Sequence, residues 1–113
     1  MNITFSNKNL QRLANDDRKR MKTMGKIRAH KFKLRLTQIH NAESLEEVRN
    51  LPGNYHELTK NRKGQWACDL DQPFRLIFEP HENPVPTDHD GKYVWFKIKG
   101  VEVIEIIDYH KEK

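Results

Sequence analysis

The sequence predicts an α+β fold, with two N-terminal helices packed on one face of a small, mainly antiparallel sheet of four to five strands. Three observations predict it. Apolar residues recur at intervals of three and four before Asn41, as on one side of a helix. After Pro52-Gly53 the period changes to two, the repeat of a strand. The extended segments that follow are mostly joined by short connections, which suit antiparallel neighbours. With the helices ahead of the strands, the two layers segregate. At 113 residues the chain, 1–113, reads as a single domain.

Asn2-Ile3-Thr4-Phe5 alternates and reads as an opening strand, after which Ser6 can cap a helix. Leu10, Leu13, Ala14, Asp17 and Met21 follow at helical spacing, giving a first helix over roughly 7–20. Gly25 interrupts the path or marks a close packing point. Ala29, Phe32, Leu36 and Ile39 define a second helix, about 23–40, with Lys26, Arg28, Lys31, Lys33 and Arg35 on its other sides. That charge is read first as a solvated face and second as a contact for RNA or a partner. Ser44 and Glu47 have capping-box spacing and open a short turn of helix that stops at Asn50-Leu51-Pro52-Gly53.

Tyr55 to Thr59 is a weak strand, and Lys60-Asn61-Arg62-Lys63-Gly64 a basic turn. From Gln65 to Leu70, Trp66, Cys68 and Leu70 share one face. Asp71-Gln72-Pro73 turns the chain, and Phe74 to Glu79 returns as a nearly continuous apolar strand. Pro80 to Gly91 has no periodicity and reads as a loop. Tyr93 to Ile98 is expected to extend, Gly100 to break it, and Val101 to Tyr109 to close the sheet.

Lys and Arg total 21 against 16 acids, a net charge of +5 and a pI near 9.4, which favours an anionic partner. Cys68 is the only cysteine, so an intrachain disulfide is excluded, as suits a reducing compartment. No apolar leader follows the first residues, and no window approaches ~18 apolar residues. A cytoplasmic protein without membrane contact is expected.

The residues suited to proton transfer concentrate in Asp108-Tyr109-His110, where a carboxylate, a phenol and an imidazole end a strand together. Arg75 sits inside an apolar strand, where an unpaired charge is costly. Its planar fork suits a phosphate, or it pairs with an acid such as Asp108 or Glu105. Lys60, Arg62 and Lys63 add positive charge, and His56 lies on the weak strand before them. Such a set suits RNA cleavage without a metal or other cofactor: a base for the ribose 2′-OH, cations for the phosphate, an acid for the departing 5′ oxygen. Trp66 reads as core before base-stacking platform, and Cys68 as a small buried hydrophobe. His81, Glu82, Asp88, His89 and Asp90 match no metal-ligand spacing.

Leu51-Pro52-Gly53-Asn54, Asn61-Arg62-Lys63-Gly64-Gln65-Trp66, Phe74-Arg75-Leu76-Ile77-Phe78 and the finish Val103 to His110, in that order, carry a family resemblance. The chain from about Lys26 to His110 resembles the HigB toxins, the plasmid maintenance system killer branch of the RelE/ParE superfamily. The resemblance implies a RelE-like fold and a ribosome-dependent, metal-free mRNA endonuclease, the toxin of a type II toxin-antitoxin pair. It implies the ribosome with its mRNA and a HigA-like helix-turn-helix antitoxin as partners. By position, Arg75 would bind the scissile phosphate, Asp108, Tyr109 and His110 would form a catalytic cluster, and His56 would match a histidine of some members. Where those members carry lysine three residues after that histidine, this chain has Thr59, with Lys60 next. Lys60 on a continued strand would point to the other face, leaving Lys63 or Arg62 to substitute. The same resemblance admits a catalytically degenerate module that binds antitoxin or RNA, and the superfamily also contains ParE, which poisons gyrase.

Overall fold

The computed structural model describes residues 1–109. Its order is β1 (Asn2–Phe5), α1 (Lys8–Asn15), α2 (Asp17–Met24), α3 (Lys26–Asn41), α4 (Leu45–Val48), β2 (His56–Glu57), β3 (Trp66–Asp69), β4 (Phe74–Pro80) and β5 (Gly100–Asp108). The five strands form one sheet in the order β1-β5-β4-β3-β2. All neighbours are antiparallel except β1, which runs parallel to β5 with Ile3 opposite Val101. The α+β architecture read from the sequence is present. The helices supply Leu10, Leu13, Phe32 and Ile39 to a core that meets Trp66, Cys68, Leu76, Phe78, Val101 and Val103 from the sheet. Alternation along each strand then sends the intervening residues, Arg75, Ile77 and Glu79 among them, to the opposite face.

The helical layer differs from expectation. The first helix is two, because Asp16 leaves helical geometry (φ −118°, ψ 103°) and its carboxylate accepts from Lys19 N at 3.0 Å, starting α2. Arg20 stabilises the break. Its buried guanidinium donates to the Leu13 and Ala14 carbonyls at 2.9 and 3.1 Å, satisfying the end of α1, and pairs with Asp17. Gly25, at φ +79°, separates α2 from α3, which starts at Lys26 rather than 23. Asn7, not Ser6, caps α1; the Ser6 hydroxyl donates instead to Ile104 O at 2.8 Å.

The short helix at 45–48 forms without the expected capping box. Ser44 makes no side-chain cap, and the Glu47 carboxylate accepts from Glu43 N at 2.8 Å, one residue upstream of the predicted donor. Tyr93 to Ile98 is not a strand. Trp95–Lys97 is a 3-10 turn that inserts Trp95 edge-on against Trp66, with ring centroids 5.4 Å apart. Filling the core with a second indole outweighs the local extended preference. Gly100 does not break a strand but begins β5, where a Cβ would come within 3.4 Å of the His81 side chain.

Arg35 joins the layers. It lies on the inward side of α3 between Phe32 and Ile39 and is buried. Its Nε donates to Asp69 O at 2.7 Å, and Nη1 donates to Pro52 O and Gln38 Oε1, each at 3.2 Å. Charge-assisted bonds of this kind are worth about 1.5–3 kcal/mol each, which offsets burial of the cation. Gly53 sits against the guanidinium at φ +127°, and a Cβ there would approach Arg35 to 2.8 Å. Arg28 adds a second tie through a bidentate pair with Asp71 at 2.9 and 3.2 Å, while stacking on Phe74.

Two outcomes follow. Gly53→Ala meets both the positive φ and the guanidinium, so stability should fall by about 2 kcal/mol or more, read by denaturant melts; an unchanged midpoint would contradict the clamp. The Cys68 thiol is fully buried and burial pushes its pKa up to about 12. Iodoacetamide should therefore leave native protein unlabelled at neutral pH and label it rapidly in denaturant.

Candidate functional site

The face opposite the helices gathers the chemistry. Cross-strand pairs point to the same side, so three rows can be read across it. One runs His56, Ala67, Ile77, Glu105; a second runs Asp69, Arg75, Ile107; a third sets Glu79 beside Glu102. Ala67 and Ile77 are buried and form the floor. Strand spacings put the Cα atoms of His56 and Arg75 roughly 12 Å apart, within the span of two inward-leaning side chains and one bound nucleotide.

Arg75 is not left as an isolated charge in an apolar strand. Its guanidinium carbon lies 3.9 Å from the centroid of the Tyr109 ring, and Nε lies 3.4 Å from Asp69 Oδ1. The acid beside it is Asp69, rather than Asp108 or Glu105. Tyr109 is held by its backbone, whose N–H donates to Pro73 O at 2.8 Å. The ring beneath the guanidinium carbon and Asp69 beside Nε restrain the planar fork, whose chemistry suits phosphate oxygens.

His56 is set by the turn that Arg35 clamps. Its Nδ1 lies 2.7 Å from Asn54 O. A carbonyl only accepts, so Nδ1 carries the proton, and in the neutral ring Nε2 is the basic nitrogen. Asn54 adopts φ +56° to turn its carbonyl toward the ring, and the adjacent Gly53 O accepts from Asp69 N at 2.8 Å. The turn thus sets His56 on one side and the strand residue beside Arg75 on the other.

The basic turn divides. Arg62 reaches the open face: Nη2 meets Glu105 Oε1 at 2.7 Å and Nη1 donates to Gln65 Oε1 at 2.9 Å. Gln65 in turn approaches Glu79 at 3.5 Å. Lys60 and Lys63 border a recess with Glu57, Leu58 and Tyr93, and Lys63 Nζ sits 5.8 Å from the Tyr93 ring. The strand-alternation argument for Lys60 fails because β2 ends at Glu57; Lys60 begins a 3-10 turn at φ +57°. Asp108 pairs with Phe74, which packs toward the helices, so register sets it on the face opposite Arg75 and apart from Tyr109. His110 lies outside the described residues. Trp66 is buried among Phe78, Trp95 and Arg49, as a core residue.

Sequence reasoning missed Asp69 and Arg35. Arg35 had a signal, since a cation three after Phe32 and four before Ile39 occupies the apolar stripe of its helix. Asp69 required the hairpin register that sets it opposite Arg75. Among the described residues no three His, Cys, Asp or Glu side chains converge as a metal site, and no helix is long and apolar enough to cross a membrane. No protein-family model matches the chain, and a search of curated proteins finds no significant match.

Asp69 competes with any anion for Arg75. Asp69→Asn should therefore raise the affinity of a short RNA oligonucleotide severalfold at low salt, and Arg75→Ala should remove the gain, as read by fluorescence anisotropy. Equal binding by all three proteins would dismiss Arg75 as a phosphate contact.

Proposed function

We propose that this chain is a HigB-like toxin of the RelE/ParE superfamily, a metal-independent endoribonuclease that cuts mRNA on the ribosome and is neutralised by a HigA-like antitoxin in the cytoplasm. The observation that carries the reading is the Arg75–Tyr109 stack on the same sheet face as His56. Arg75 holds the scissile phosphate and stabilises charge growing on its non-bridging oxygens. His56 Nε2 takes the ribose 2′ proton as the 2′ oxygen attacks phosphorus. The 5′ oxygen leaves with a proton from His110, yielding a 2′,3′-cyclic phosphate and a 5′-hydroxyl. Tyr109 backs the guanidinium and restrains its movement. Arg62 supplies the further cation in place of Lys60 or Lys63.

One observation favours a second reading, a catalytically degenerate module that retains antitoxin or RNA binding. Arg75 and Arg62 each face a carboxylate, and Glu79 and Glu102 stand directly opposite one another on the same face. That lowers the positive potential available to a phosphate chain.

Induced expression in a bacterial host with mapping of mRNA 5′ ends separates the readings. The toxin reading predicts growth arrest and new ends inside translated codons, lost when translation is blocked and lost in Arg75→Ala/His110→Ala. Full toxicity of that double variant would sink the site. Arrest with intact mRNA and DNA-damage signalling would point to a ParE-like gyrase poison. Soluble, folded protein without arrest would favour the degenerate module.

A further inference from the structure

The basic excess of this chain belongs to one layer. Residues 8–41 carry eleven Lys and Arg against two Asp, whereas the rest of the chain carries ten against fourteen Asp and Glu. The sheet half is therefore net acidic, and the attraction for an anionic partner lies on the helices. Among the described residues four large apolar side chains are exposed, and three of them, Met21, Ile27 and Leu34, belong to α2 and α3. Ile27 is 66% exposed and Leu34 41% exposed, and neither joins the core.

Ile27 and Leu34 are seven residues apart, so they share one stripe of α3 on the side away from Phe32 and Ile39. His30 and Lys31 lie between them along that stripe, and Lys26 and Lys33 adjoin it. Single exposed apolar residues are ordinary. Lys33 meets Asp17 at 3.6 Å, but the cations of this layer far outnumber its two acids. A heptad pair set among such a cationic excess suits a second helix, with apolar contacts at the centre and opposite charge at the rim. RNA would satisfy the cations but would gain nothing from covering Ile27 and Leu34.

We propose that the outer face of α3, centred on Ile27 and Leu34, docks an amphipathic helix of a partner protein, apolar along one stripe and acidic on its flanks. The surface lies on the opposite side of the sheet from Arg75, so docking there is independent of RNA cleavage and leaves the Arg75 face uncovered.

The test is selection of displayed amphipathic helices, with apolar heptad positions and variable acidic or basic flanks, against the folded full chain. Affinities are then measured by fluorescence anisotropy. Enriched helices should carry acidic flanks, bind Ile27→Ser/Leu34→Ser at least tenfold more weakly, and weaken on Lys26→Glu. Both apolar positions are exposed, so circular dichroism and melting should match the parent and exclude misfolding as the cause. Failure to enrich any helix, or helices that bind the Ser/Ser variant equally, would overturn the proposal. So would an RNA oligonucleotide that displaces the selected helices while its own binding ignores Ile27 and Leu34, which would make the face an RNA contact.

Discussion

The Arg35 guanidinium ties the candidate site to the helical layer. It reaches from α3 to the carbonyls of Pro52 and Asp69, drawing together the turn before β2 and the end of β3. The Tyr55 hydroxyl strengthens the same junction by donating to Arg35 O and Gln38 Oε1 at 3.2 and 2.8 Å, and burial raises the pKa of that phenol, keeping it protonated as a donor. From this junction two consequences run outward. The Asn54 carbonyl fixes the His56 ring, and Asp69 is fixed opposite Arg75. A buried cation with backbone acceptors specifies geometry more sharply than apolar contacts could, because each bond has a direction and leaving one unmade is costly. The close approach of the guanidinium calls for a residue without Cβ at Gly53, and the left-handed φ of +56° that follows suits an asparagine at 54.

Much of this was legible in the sequence. Alternation exposed β3, a nearly continuous apolar run exposed β4, and the helical spacing of Phe32, Leu36 and Ile39 found α3. The last strand, expected over Val101 to Tyr109 and found at Gly100–Asp108, and the turn at Asp71-Gln72-Pro73 also followed from local pattern. The failures have two causes. Asp16 ended a helix that its apolar spacing would have continued, because a carboxylate offered a fresh cap and Arg20 satisfied the preceding carbonyls. Trp95 abandoned an extended preference to meet Trp66 across the core. The first is a local rearrangement of polar groups that apolar spacing does not register; the second is a tertiary contact, invisible to a window of neighbours. The site divided the same way: Arg75 was conspicuous as a charge among apolar residues, whereas its neighbour Asp69 depended on register between strands. Asp108 and Tyr109, adjacent in sequence, separated because the strand carries Asp108 to the helix side while Tyr109 meets Arg75.

Charge is segregated in a way that net charge conceals. The value of +5 averages a strongly basic helical layer and an acidic remainder. On the open face Arg75 and Arg62 are set among Asp69, Glu105, Glu79 and Glu102, so the face holds localised cations rather than a continuous positive field. An anion would be recognised there by the stacked guanidinium and the oriented imidazole, through geometry at one phosphate, and not by long-range attraction along a chain. That division fits the proposed dependence on a ribosome: weak attraction for free RNA leaves positioning of the strand to a larger assembly.

The most direct measurement is a heteronuclear NMR titration of the protein with a short RNA whose 2′ oxygens are methylated to prevent cleavage. Perturbations centred on the Arg75 side-chain Nε–H, the Tyr109 ring, the His56 imidazole and the Asn54 amide, and abolished by Arg75→Ala, are predicted. Perturbations confined to α2 and α3, with the Arg75 and His56 signals unmoved at saturation, would contradict the assignment of the open face as the phosphate-binding site.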